Sequence, residues 1–105
     1  MMIQINAGNV QVSEAIAAHR EDEVNKAMRH FSDRVTRVEA HLHDDNGPKS
    51  GLDKRCTLEV RLAGFDPLTV EELSADMYAA IQQASHKLER AVRHKLERHD
   101  ARQSQ

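Results

Sequence analysis

Lys87, Arg90, His94 and Arg98 recur at spacings of three and four within the stretch Asp76 to Arg98. At about 100° per residue they fall along one flank of an α-helix. Met77, Ile81, Ala84, Leu88, Val92 and Leu96 form an apolar stripe on the same helix. Glu89 and Glu97 interrupt the basic run but project at other angles. Such a helix has a dry face for a core and a cationic edge about three turns long, a repeat suited to a phosphate backbone. The row also fits a plain solvated face whose charges balance nearby acids, as in an Arg93–Glu97 pair worth about 0.2–0.5 kcal/mol. An earlier segment offers Lys26 and Arg29, with His19 and His30 nearby and Asp22 intruding. If the two helices lie side by side, these groups form one patch. A patch of that kind reads structured RNA through shape and phosphate contacts, not base identity.

Other chemistry is poorly supplied. His41 and His43 share one face of a strand and have Asp44 and Asp45 close behind. The spacing fixes no further ligand, and a zinc site needs at least three, so no metal is assigned. Cys56 is the sole cysteine. It has the inward parity of its strand, where a thiolate is disfavoured. No Gly-rich loop joins a strand to a helix, so no phosphate cradle or dinucleotide site is present. The carboxylates are scattered. We assign no catalytic residue and no cofactor, and expect a protein that is not an enzyme.

The 105 residues suffice for one domain, read as residues 1–100 with a polar tail at 101–105. Phe31, Phe65 and Tyr78 are the only aromatics, too few for the stacking platforms of an RRM or OB fold. The net charge is −2 but uneven: residues 1–75 hold 9 Lys and Arg against 13 Asp and Glu, and residues 76–105 hold 6 against 4. Binding to a polyanion would therefore use a local ridge. No apolar run approaches membrane-spanning length and no secretory signal is visible, so a cytoplasmic protein is expected.

The elements that must position these groups follow from periodicity. Met2 to Asn6 alternates, as does Arg37 to His43, with Val38, Ala40 and Leu42 on one face. Cys56, Leu58, Val60 and Leu62 alternate in another strand. Leu68 to Leu73 reads as a fourth, broken by Glu71-Glu72. Ser13 is an N-cap for a helix carrying Ile16, Val24, Ala27, Met28 and Phe31. Arg20 sits on that apolar stripe, positioned to snorkel past the core edge or to pair with a carboxylate. Asp44 to Gly51 is a loop and Phe65-Asp66-Pro67 a turn. The β-α-β-β-β-α order predicts an α+β two-layer sandwich, a four-stranded sheet with two helices packed on one face. The exposed sheet edge leaves room for a homodimer.

The segment DMYAAIQQASHKLER resembles the second-helix signature of the bacterial ribosome hibernation-promoting factors, the ribosome-associated inhibitor A and sigma-54 modulation family. IQINAGNVQVSEAI is similar to that family's opening strand, turn and helix start, and NKAMRHF to the end of its first helix. The likeness covers roughly residues 2–98. It implies a non-enzymatic factor that binds the small ribosomal subunit and silences ribosomes under stress or in stationary phase, blocking the sites of mRNA and tRNA. It further implies that Lys26, Arg29, Lys87, Arg90, His94 and Arg98 face 16S rRNA, with Lys54 at a basic position of the third strand. His94 stands where lysine is common, so that contact would depend on pH. No second domain follows, which implies the short form. The alternative is a protein-interaction module of the same fold with a non-ribosomal partner.

Overall fold

The computed structural model describes residues 2–6 as backbone, and residues 12–44 and 52–103. The expected turn at 7–9, the inward placement of Ile3 and Ile5, and most of the 44–51 loop lie outside the described residues. The elements are β1 (Met2–Asn6), α1 (Glu14–Met28), a short 3-10 turn (Arg29–Phe31), β2 (Val35–Asp44), β3 (Lys54–Leu62), β4 (Leu68–Ser74) and α2 (Met77–Gln103).

The strands lie in the order β1-β2-β3-β4. The expectation of a four-stranded layer is corrected in the make-up of its sheet. The antiparallel sheet has three strands, β2, β3 and β4, and β1 is added to it in parallel, with Ile3 opposite Val38 and Ile5 opposite Ala40. Parallel pairing follows from the helical crossover, because α1 returns the chain to the end of the sheet from which it left. α2 lies on β3 and β4 and packs along α1, and both helices contribute to the one buried core.

Ser13 caps α1, its Oγ accepting from Ile16 N at 3.1 Å. Asp76 caps α2, its Oδ2 accepting from Ala79 N at 3.3 Å. β2 begins at Val35, earlier than the alternation suggested, because the register slips between Val35 and Arg37. Thr36 there gives its hydroxyl to Arg61 O at 3.0 Å. α2 continues through Gln103, into the stretch read as a polar tail.

The core is the space between sheet and helices. Val38, Ala40 and Leu42 meet Cys56, Leu58 and Val60, all fully buried, under Ile81, Ala84, Leu88 and Val92 of α2. Val24, Ala27 and Met28 close it from α1. Each fully buried Leu or Val contributes about 1.5–3 kcal/mol. Arg20 does not snorkel: it is 1 % exposed, and its Nε and Nη1 have no hydrogen-bond partner. Burial pulls its pKa down, with the neighbouring Glu21 and Cys56 opposing that shift. Among the described residues, no helix is long and apolar enough to cross a membrane.

Candidate nucleic-acid interface

α2 is held between two neighbours, and the contacts decide which charged groups meet. On one margin it faces α1 and the 3-10 turn. His19 Nε2 donates to Tyr78 O at 3.1 Å, the Arg93 guanidinium lies 5.6 Å from the Phe31 ring centroid, and Arg34 Nη2 lies 3.8 Å from Asp100 Oδ1. On the other margin it faces β4 and the β3–β4 turn. Lys87, His94 and Arg98 all lie on this second side.

Lys87 Nζ sits 3.5 Å from Glu72 Oε1 and donates to Glu71 O at 3.2 Å. Arg90 is exposed and borders a depression with Glu72, Gln83 and His86. His94 and Arg98 are exposed and border a groove floored by Phe65, Leu68 and Ala91. The four form a continuous row, as the helical spacing requires.

The cations outside α2 lie elsewhere. Lys26 is exposed on α1, its Nζ 3.8 Å from Glu23 Oε1. Arg29, exposed, opens the 3-10 turn. Lys54 opens β3 at the end where the chain crosses from β2, opposite Asp44 in register, its Nζ 3.0 Å from Asp44 Oδ2 and 3.2 Å from Asp53 Oδ2. The hydrogen bond with Asp44, reinforced by Asp53, raises its pKa despite partial desolvation. The α2 row occupies the margin away from α1, and the Arg93 side of α2, spent on Phe31, lies between them. Arg93 also pairs backwards, to Glu89 Oε1 at 2.7 Å, and not with Glu97.

Four groups beside the row were missed by the sequence reading: Phe65, Lys95, His99 and Arg102. Extending the helical wheel past Arg98 would have found the last, since Ala91, Lys95, Arg98 and Arg102 repeat at four, three and four. Of the strand histidines, His41 Nε2 lies 3.8 Å from Glu39 Oε2, and Glu39 accepts from Arg37. Among the described residues, no three His, Cys, Asp or Glu side chains gather as metal ligands.

Fold and site together define a small two-layer α+β domain with a cationic helix margin beside its edge strand. The family described as Sigma 54 modulation protein / S30EA ribosomal protein matches residues 3–100, and the chain belongs to it. Among curated relatives, the ribosome hibernation promotion factor of Lactococcus lactis subsp. cremoris is 36 % identical over 90 residues, covering 85 % of this chain and 46 % of the relative. That of Picosynechococcus is 30 % identical over 93 residues, covering 89 % and 48 %. The chain thus spans about half the length of the curated relatives it matches. A ribosomal subunit interface protein from Coxiella burnetii has the same fold, with a TM-score of 0.74 at 24 % identity over 96 % of this chain and 99 % of that one. The N-terminal domain of Thermus thermophilus Protein Y gives 0.65 at 26 % identity, covering 87 % and 91 %.

Proposed function

We propose that this chain is a non-enzymatic translation inhibitor of the ribosome hibernation type. It binds the small ribosomal subunit in the cytoplasm through 16S rRNA and blocks the sites of mRNA and tRNA under stress or in stationary phase. Family membership supports this reading, as do relatives named ribosome hibernation promotion factor. The observation that carries it to particular residues is the row Lys87, Arg90, His94 and Arg98 on the outer margin of α2. In this reading Arg90, His94 and Arg98 make the primary phosphate contacts, and Lys87 joins when its pairing with Glu72 is exchanged for phosphate. Lys26, Arg29 and Lys54 make separate contacts with other parts of the rRNA, each in exchange for a carboxylate or for solvent.

Co-sedimentation with 30S and 70S particles across a salt series tests the proposal. Binding should weaken steeply as salt rises, because each phosphate neutralised releases counterion. The triple variant K87E/R90E/R98E should stop pelleting with ribosomes while its circular dichroism stays unchanged. A variant that still pelleted would remove this row from the interface.

A further inference from the structure

The groove beside the row combines two chemistries that the phosphate-backbone reading does not use together. Its volume is about 540 Å³, the scale of a site for one small organic group. Phe65, Leu68 and Ala91 make an apolar floor, and each is partly buried. Above it stand Lys95, Arg98 and Arg102, with His94 and His99 completing the rim. Among the described residues, no carboxylate lines it. The nearest acid in sequence on the turn, Asp66, is exposed and outside the lining. Asp100 is turned to Arg34 on the opposite margin of α2.

Phe65 is held in place. Its ring meets the His99 ring edge-on at 4.9 Å between centroids, and Lys95 Nζ is 5.7 Å from its centre. A backbone bond from Phe65 N to Leu62 O at 3.1 Å closes the turn that presents it. A bare anion would leave this apolar floor unused. An acidic peptide would answer the cations but brings no flat ring to lie on the Phe65 floor. A nucleotide matches both halves, since its phosphate only accepts and its base is flat and largely apolar on its faces.

We propose that this groove binds one unpaired nucleotide, with the base on Phe65, Leu68 and Ala91 and the phosphate between Arg98 and Arg102. The inference rests on the RNA-binding reading only for the source of the nucleotide. It adds base contact to an interface otherwise made of backbone contacts.

The test uses the whole chain, free of ribosomes, in amide chemical-shift titrations with a short unpaired oligoadenylate, adenosine monophosphate, inorganic phosphate and polyglutamate. Oligoadenylate should shift the amides of Phe65, Leu68, Ala91 and Arg98. Phe65→Leu, which keeps an apolar side chain and removes the ring, should weaken binding by about tenfold, the scale of one base–aromatic stack. R98Q/R102Q should abolish it. Tighter binding of the oligomer than of the monophosphate assigns the nucleotide to a strand; equal binding assigns it to a free nucleotide; both support the site. Inorganic phosphate acting at the same concentration as the monophosphate, a preference for polyglutamate, or no groove shifts at millimolar oligonucleotide would overturn it. If wild type pellets with ribosomes yet shows no groove shifts, this inference falls and the proposed function stands. If groove shifts occur without co-sedimentation, the groove stands as a nucleotide site and the proposed function falls.

Discussion

Lys87 of α2 is tied to Glu72 of β4, ammonium to carboxylate at 3.5 Å, with a second bond from the same nitrogen to Glu71 O at 3.2 Å. This pair joins the cationic margin to the edge strand and sets the charge available to a polyanion. Both side chains are partly exposed, so its contribution to stability is at most about 1 kcal/mol. Glu72→Gln should leave unfolding by urea nearly unchanged. It should steepen the salt dependence of ribosome binding by about one released counterion. A salt slope identical to wild type would mean that Lys87 takes no part in binding.

Arg20 is a cation inside the core with two unpartnered nitrogens. Replacing such a group with an apolar side chain of similar length removes the desolvation burden and keeps the volume. Arg20→Met should therefore be between neutral and about 1 kcal/mol or more stabilising, with its denaturant midpoint unchanged or raised. Arg20→Ala, which leaves a void, should lose about 2 kcal/mol or more. Destabilisation of the methionine variant by as much as the alanine one would show that the charge itself is needed.

Cys56 is fully buried, and burial pushes its thiol up to about 12 from an ordinary 9.0, with Arg20 opposing. The neutral thiol is the form the fold favours. Below about pH 9 both folded and unfolded chains keep the proton and stability is unaffected. Between about 9 and about 12 only the unfolded chain loses it, so stability falls by up to about 1.4 kcal/mol per pH unit. Denaturation midpoints should drop across that window in wild type, and less steeply in Cys56→Ala. Parallel curves for the two proteins would assign the alkaline loss to other groups.

Gly64 has a φ of 85° in the β3–β4 turn, and a Cβ built there meets nothing within 4 Å. The cost of a side chain is thus torsional, not steric. Gly64→Ala should destabilise by about 1–2 kcal/mol, and Gly64→Asn by less, because asparagine tolerates this region. Equal midpoints for glycine and alanine proteins in thermal melts would contradict that.

The strands were legible where alternation was strict. Val38, Ala40 and Leu42, then Cys56, Leu58, Val60 and Leu62, all turned inward as their parity requires. The break at Glu71-Glu72 has a structural meaning that composition could not supply. Glu72 pairs with Cys56 in register and so has inward parity, but it sits on the edge strand, where Lys87 meets it. The direction of β1 was not read, since alternation is the same for parallel and antiparallel neighbours. The burial of Arg20 was not read either. A snorkelling arginine and a buried one occupy the same place on a helical wheel, and only tertiary packing, which sets Arg20 near Cys56 of β3, tells them apart.

The row on α2 was visible because residues on one helix have a fixed angular relation. Which margin of α2 the row would share with α1 was not, because a wheel gives each helix a wet side without saying which margin the neighbour takes. Phe65 was read as part of a turn. Its place beside His99 depends on contact across distant parts of the chain, and Arg102 joined the groove only because α2 ran on past the stretch expected to hold it.

With the row confined to one margin and a net charge of −2, the molecule is repelled as a whole by a distant polyanion and attracted only close in. Both effects are confined to the range of the Debye length, about 8 Å at physiological ionic strength. Approaches that lead with the acid-rich remainder are turned away before touching. Under the proposed function, approaches leading with α2 are the favoured ones. Capture under that proposal is slower than for a uniformly basic protein and selects orientation during diffusion itself.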